Sequence, residues 1–230
     1  MRLRICLLVL VAVAIAWLAG VRYGFPAFPR GGGAVGAEAG RVPPVEIDGR
    51  VFVPVVDWSF SRGPYPQGWG WGEWELADGV LSGRHAAGDI AAYFFPFDCG
   101  EEFVLETRVR LTASEDEDGV VAQLLVRDGE RMHNESGVAI YADSGEVAVR
   151  HMVEGVNYIW DLVDMDARTA MNRWYRLRFA LVDRRPRAWI DDAPVPLPEA
   201  RYPIGLYRGP HLAVDRGTAE FDHVRVYMPE

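Results

Sequence analysis

The chain has 230 residues, half of them hydrophobic, and a formal net charge of −9. That is enough apolar material for one sizeable core, in a size range where all-β domains often stay single. The basic residues are all Arg, and residues 1–46 hold five of the 24 against Glu38 and Glu46, so residues 47–230 carry 19 Arg against 31 acids, a balance of −12. So acidic a segment repels phosphate backbones and has no basic stripe with interleaved aromatics, so nucleic acid is not an expected partner and polyanionic glycans are disfavoured.

In chain order, Arg2 and Arg4 precede an apolar run from Ile5 to Val21. At 1.5 Å per residue that run reaches about 26 Å, near the lower limit for a spanning helix. Residues 1–23 are therefore expected to form a signal-anchor helix, with the positive flank held in the cytoplasm and the rest of the chain sent outward. A cleaved signal peptide is the alternative, with Ala14-Ile15-Ala16 as the small-x-small site. Either reading places the remainder periplasmically or extracellularly. Residues 24–46, with Gly31-Gly32-Gly33 and Pro26, Pro29, Pro43 and Pro44, lack periodicity and read as a flexible linker. Cys6 and Cys99 fall on opposite sides of this linker, so no disulfide is expected, and Cys99 in Asp98-Cys99-Gly100 reads as a small half-buried residue in a turn.

From residue 47 onward short runs of period two alternate with turn residues. Ile47-Asp48-Gly49-Arg50-Val51 predicts a tight hairpin, because Asp-Gly supplies the positive φ angles. Trp69, Trp71 and Trp74 are spaced by Gly68, Gly70 and Gly72, which predicts a loop. Phe103, Leu105, Thr107, Val109 and Leu111 alternate with Glu106, Arg108 and Arg110, the mark of a half-buried strand. Further strands are predicted over 120–126, 138–142, 146–151, 156–162, 175–182, 187–191, 204–207 and 221–227, with one short helical turn over 167–173. Strands at this spacing without intervening helices predict an all-β fold of two packed antiparallel sheets across residues 47–230.

Four segments carry a resemblance. Trp74-Glu75-Leu76-Ala77-Asp78-Gly79-Val80-Leu81 opens the domain as W-x-x-x-D-G-x-L, and Phe221-Asp222-His223-Val224-Arg225-Val226 closes it. Between them stand Trp174-Tyr175-Arg176-Leu177-Arg178 and Trp189-Ile190-Asp191-Asp192. Together these resemble the concanavalin A-like lectin/glucanase superfamily, in its laminin-G-like and 3-keto-disaccharide-hydrolase-like branches. The resemblance implies a two-sheet jelly-roll sandwich whose first and last strands lie side by side. It also implies a structural calcium site, for which Asp222 and Asp57 are the expected ligands. Asn134-Glu135-Ser136-Gly137-Val138 is similar to the N-S-G segment of the hydrolase-like branch, with one residue inserted.

Glycoside hydrolysis needs two carboxyl groups about 5 to 10 Å apart. The E-x-D-x-E strand array of glucanases with this fold is absent from the sequence. Glu106 is the one weak catalytic candidate, and Arg108 on its own face would lower its pKa, which suits binding better than proton donation. The aromatic stretch is the more promising ligand site. Trp69 and Trp71 could stack on sugar rings, with Gln67 and Glu73 holding hydroxyls, while Trp74 is expected to pack the core. Tyr158 and Trp160 alternate on a strand and could line the same groove or fill the core. The acidic run Glu115–Asp118 lacks the closing Glu of a calcium loop, and the five His residues form no H-E-x-x-H motif. The expectation is an exported, membrane-anchored sandwich that binds carbohydrate or another cell-envelope ligand without catalysis. A glycoside or 3-keto-glycoside hydrolase and a protein-interaction module are the alternatives.

Overall fold

The computed structural model describes residues 42–61, 69–85, 90–115, 119–128, 135–142, 146–153, 156–164, 169–197 and 207–230. The anchor reading of residues 1–23 lies outside them, as does Gln67. Among the described residues no helix is long and apolar enough to cross a membrane.

Two antiparallel sheets form a sandwich, as the sequence predicts. The back sheet holds β1 (Val45–Ile47), β2 (Arg50–Ser59), β4 (Glu73–Ala77), β5 (Val80–Arg84), β8 (Phe103–Ser114), β13 (Trp174–Val182), β14 (Arg185–Ile190), β15 (Ala193–Pro194) and β17 (Gly217–Pro229). Its main path runs β1-β2-β17-β8-β13-β14-β15, with β5 joining β17 and β4 joining β5. The closing strand thus lies beside an opening one. The front sheet holds β3 (Trp69–Trp71), β6 (Ala91–Phe94), β7 (Asp98–Gly100), β9 (Val121–Asp128), β10 (Glu135–Tyr141), β11 (Glu146–Val153), β12 (Val156–Asp164) and β16 (Tyr207–Asp215). Its order is β12-β11-β10-β9-β16-β6-β3, with β7 also on β16.

The hairpins follow from turn chemistry. Ile47 pairs with Arg50 around Asp48 (φ 52°) and Gly49 (φ 76°), and Ala77 pairs with Val80 around Asp78 (φ 51°) and Gly79 (φ 80°). Both are two-residue turns with positive φ at each position, whose twist suits the flanking strands. The β13–β14 and β14–β15 turns do the same with Asp183-Arg184 and Asp191-Asp192, since Asp tolerates the left-handed region better than most residues.

Period two sends one side of each strand into the core. Phe103, Leu105, Val109 and Leu111 of β8 meet Leu177 and Phe179 of β13, Phe221, Val224 and Val226 of β17, and Ala122, Leu124, Val126, Val138, Ile140, Leu212 and Val214 of the front sheet. Trp58 stacks on Phe95 at 4.9 Å within this layer. Each large side chain so buried is worth about 1.5–3 kcal/mol. A smaller apolar cluster of Ile47, Phe52, Val104, Ala180, Val182 and Tyr227 covers one end of the back sheet's outer face.

Three local readings are corrected. Trp69–Trp71 is an edge strand, not a loop: it pairs with β6, and Gly70 is required because a Cβ there would collide with the Ala92 carbonyl oxygen. Cys99 is fully buried inside β7, where burial, then Asp98, push its thiol pKa up. The strand predicted to end at residue 207 instead continues, as β16, to Asp215 through Gly209-Pro210. A bulge between Arg208 and Pro210, with Gly209 at φ 74°, absorbs it.

Candidate functional site

The predicted site residues divide between the two sheets. On the back sheet, Glu106, Arg108 and Arg110 of β8 alternate with the core residues and point outward. Glu106 is only 2% exposed, because guanidinium groups close over it. Arg178 donates to its Oε2 from Nη2 at 2.7 Å and Nε at 3.1 Å, and Arg225 donates to Oε1 at 2.9 Å. His223 stands 3.7 Å from the same oxygen, and the Tyr227 hydroxyl 3.5 Å. Arg225 also donates to Asp57 at 2.9 Å, and Arg108 pairs with Asp222 at 3.1 Å, beside His223 Nδ1 at 3.6 Å.

A bulge in β17 builds this network. Phe221 pairs with Val109 and the next ladder pair is Val224 with Thr107, so Asp222 and His223 together oppose the single residue Arg108. The Thr107 hydroxyl donates to the His223 carbonyl, and the Phe60 N–H donates to the Asp222 carbonyl at 3.1 Å, which pins the bulge. Burial alone would push the Glu106 carboxyl up. His223, Arg178 and Arg225 overrule it and hold the group far below the usual carboxylate range. Burial pushes His223 down, and Asp222 and Glu106 outweigh it and raise its pKa. Burial, with Glu106 next, pushes the Tyr227 phenol up to about 12.

These groups form a structural ion network. Both Glu106 oxygens already accept from guanidinium groups, which favours the ionised carboxyl over a proton-donating one. Its partners are Arg178 and Arg225 from neighbouring strands, whereas Arg108, the neighbour named from sequence, turns to Asp222 and the face of Trp174. The calcium expectation meets the same obstacle. Asp57 is engaged by Arg225 and Asp222 by Arg108 and His223, so this donor set does not fit a divalent cation.

The front sheet's outer face carries a different arrangement. Trp71 on the edge strand β3 is 42% exposed and packs on Phe94 of β6 at 5.0 Å. Phe94 stacks on His211 of β16 at 4.6 Å and 24°, and the Arg127 guanidinium of β9 lies 4.6 Å over the same Phe94 ring. His211 Nε2 approaches Glu135 Oε1 of β10 at 3.5 Å, and Glu135 is the ladder partner of Arg127. His211 and Arg127 are buried. Burial lowers the Arg127 pKa, and Glu135 opposes that shift. The row therefore runs from an exposed indole at the sheet edge to the buried His211 and Arg127, with Glu135 beside them, in its middle. Ala92, Ala213, Ala139 and Gly137 occupy neighbouring ladder positions.

Of the predicted ligand residues, Trp71 belongs to this row, and Trp69 is the ladder partner of Phe94. Glu73 is exposed on β4 and lies 3.9 Å from Arg84. Trp74 packs on Tyr93 and Phe221 at the end of the core and donates its indole N–H to the Trp71 carbonyl at 3.0 Å. Tyr158 and Trp160 lie on β12, the opposite edge of the same sheet, paired with His151 and Val149. At about 4.8 Å per strand that edge is some 29 Å from β3. Arg108 is on the other sheet, so it does not join Trp71 in one groove. Phe94, Arg127 and His211 were not singled out from the sequence, and Glu135 entered only as part of the segment similar to N-S-G. The alternation of Gln123, Leu125 and Arg127 against Ala122, Leu124 and Val126 was the available signal for one of them.

No family model matches the chain, and no curated protein sequence matches it. Solved structures do. An endo-β-1,3-glucanase from Pyrococcus furiosus superposes with a TM-score of 0.61 at 10% identity, over 82% of this chain and 99% of that one. A carbohydrate-binding module from Bacillus subtilis gives 0.58 at 16% identity, over 69% and 94%. A β-1,3-1,4-glucanase derived from a mouse hindgut metagenome gives 0.57 at 17%, over 76% and 98%. These likenesses span binding modules and hydrolases and establish the architecture. The chain has the concanavalin A-like jelly-roll fold.

Proposed function

We propose that the chain binds a neutral carbohydrate on the outer face of the front sheet, without catalysis. The observation that carries this reading is the row Trp71–Phe94–His211, flanked by Arg127 and Glu135. An exposed indole offers a flat apolar surface to the axial C–H face of a pyranose, and polar groups beside it can hold hydroxyls. The acidic domain disfavours polyanions, and the likeness to a carbohydrate-binding module supports the ligand class. Export and tethering by residues 1–23 belong to the same proposal and rest on Arg2, Arg4 and the apolar run that follows.

Hydrolysis is the competing chemistry, because glucanases share the fold. In the front sheet's ladder, Asp98 lies three strands from Glu135 in the same row, and Asp215 lies six ladder positions along. Those offsets put the backbones about 14 Å and 20 Å away, so neither acid stands directly opposite Glu135 in the ladder. The test is affinity electrophoresis of the full-length chain in gels containing β-1,3-glucan, β-1,3-1,4-glucan or κ-carrageenan, with reducing-sugar release measured in parallel. Retardation by a neutral glucan that Trp71→Ala abolishes, without sugar release, is the expected result. Release of reducing ends would replace the binding reading with the hydrolase one. Retardation by κ-carrageenan alone would overturn the neutral-ligand assignment.

A further inference from the structure

We propose that β4, an open edge of the back sheet, takes up an extended strand from a basic protein partner, with cationic side chains facing Glu73 and Glu75 and alternate apolar ones against Trp74 and Leu76. β4 bonds to β5 alone. Asp78 and Gly79 close this hairpin with positive φ at both positions, and Ala77 pairs with Val80 across the turn. The residues that flank a two-residue turn exchange both ladder hydrogen bonds, and the pattern alternates from there. Glu73, Glu75 and Ala77 therefore direct their main-chain groups to β5, and those of Trp74 and Leu76 point the other way. Among the described residues no other backbone group meets them.

Native sheets blunt their edges. β1 has three residues, and β15 has two and ends in Pro194, which offers no N–H. β4 has five residues and no Pro. Its side chains form two rows. Glu75 is the ladder partner of Ser82, and Ser82 of Glu220, so Glu73 and Glu75 stand on the sheet's outer face. The Glu73 side chain is 66% exposed, with Arg84 no nearer than 3.9 Å, and Glu75 is exposed as well. On the core side the Trp74 ring lies over Gly83, and Leu76 is paired with the buried Leu81. Leu76 is still 36% exposed, because no strand stands beyond it at the rim of the sandwich.

The charges select the occupant. An added antiparallel strand sets one residue directly opposite each of Glu73 and Glu75, at the non-hydrogen-bonded positions where side chains come closest. Opposite charges in such pairs attract, and like charges repel. A second copy of β4, with Trp74 opposite Leu76, would put Glu75 against Glu75, so pairing between copies of this chain is disfavoured. A strand that alternates basic and apolar residues meets carboxylates on one face and covers Leu76 on the other. The excess of acids over residues 47–230 draws such a partner in.

The test uses the full-length chain at low ionic strength and the labelled peptide Ser-Lys-Val-Lys-Val-Lys-Ser, with Ser-Lys-Lys-Lys-Val-Val-Ser as the control of equal charge. Fluorescence anisotropy should show the alternating peptide binding more tightly than the control. At saturation, amide exchange should slow at Trp74 and Leu76 and change little at Glu75 and Ala77, whose N–H groups already bond to β5. Glu73→Lys with Glu75→Lys turns two attractions into two repulsions and should weaken binding about tenfold. The same double variant should gain affinity for Ser-Glu-Val-Glu-Val-Glu-Ser, a readout that a merely damaged fold would not give. Equal binding of the control peptide, or unchanged exchange at Trp74 and Leu76, would reduce the effect to charge attraction and refute strand addition. No binding at millimolar peptide refutes it outright. Protection of Trp74 and Leu76 that rises with protein concentration in the absence of peptide would make a second copy the occupant and overturn the basic partner.

Discussion

Replacing Glu106 by Gln probes the ion network that ties β17 to its neighbours. The substitution keeps the shape and one acceptor oxygen but removes the charge that Arg178 and Arg225 share. Arg225 retains Asp57 at 2.9 Å, Arg178 is left with Asp192 at 3.8 Å, and His223 with Asp222 at 3.6 Å. Removing one partner of a buried ion pair costs about 3–5 kcal/mol. Both guanidinium groups keep some contact with water, at 15% and 27% exposure, so the loss belongs at or below the lower end, about 2–3 kcal/mol. Urea unfolding at pH 6 measures it, with an unchanged m-value certifying that the unfolded state is the same. The pH dependence supplies a second check. A carboxyl whose pKa is depressed on folding stabilises above its unfolded value, about 4.3, and that stability is lost as the pH falls toward the folded value. The gap between wild type and variant should therefore be constant from about pH 5 to 6.5 and close under more acidic conditions. A loss below about 1 kcal/mol, or a gap that does not close in acid, would refute the account of the network.

His223 provides the opposite limb. Its pKa is raised on folding, so its contribution is complete below the unfolded value of about 6.5 and disappears as the pH rises through the folded value. The melting temperature should fall on the alkaline side of neutrality, less steeply in Glu106→Gln, and a flat profile would contradict the pairing. Trp71→Ala should cost about 1 kcal/mol, the worth of its packing on Phe94. Trp74→Ala, which removes a ring from the core's end, should cost about 3 kcal/mol, and equal losses in chemical denaturation would show that Trp71 is no platform. Gly70→Ala should release β3 from β6 and raise amide exchange at Tyr93 and Phe94, whereas unchanged protection would mean that the backbone can yield there. Millimolar calcium should leave the melting temperature where it is, because Asp57 and Asp222 already hold cationic partners. A rise that Asp222→Ala removes would restore the calcium site that the resemblance implies.

The sequence by itself determined the architecture. Strict alternation in Phe103–Leu111 and Tyr175–Leu181 sends alternate residues to a core, and Asp48-Gly49 and Asp78-Gly79 can hardly do anything but turn. These are local signals, readable because period and φ preference belong to the residues themselves. Tertiary structure decided which faces share a site. Trp71 and Arg108 are 37 positions apart in sequence, but their opposition depends on which sheet each strand joins, and long-range hydrogen bonding fixes that. The parity break between Phe221 and Val224 was visible in the sequence, but only packing against Thr107 and Phe60 makes it a bulge that delivers Asp222 and His223 to the Glu106 network. His211 was hidden for the same kind of reason. Gly209-Pro210 ends a strand on propensity alone. Pairing with β9, and with β6 from His211 onward, carries the strand across the pair by way of a bulge, and so brings the imidazole into line with Phe94.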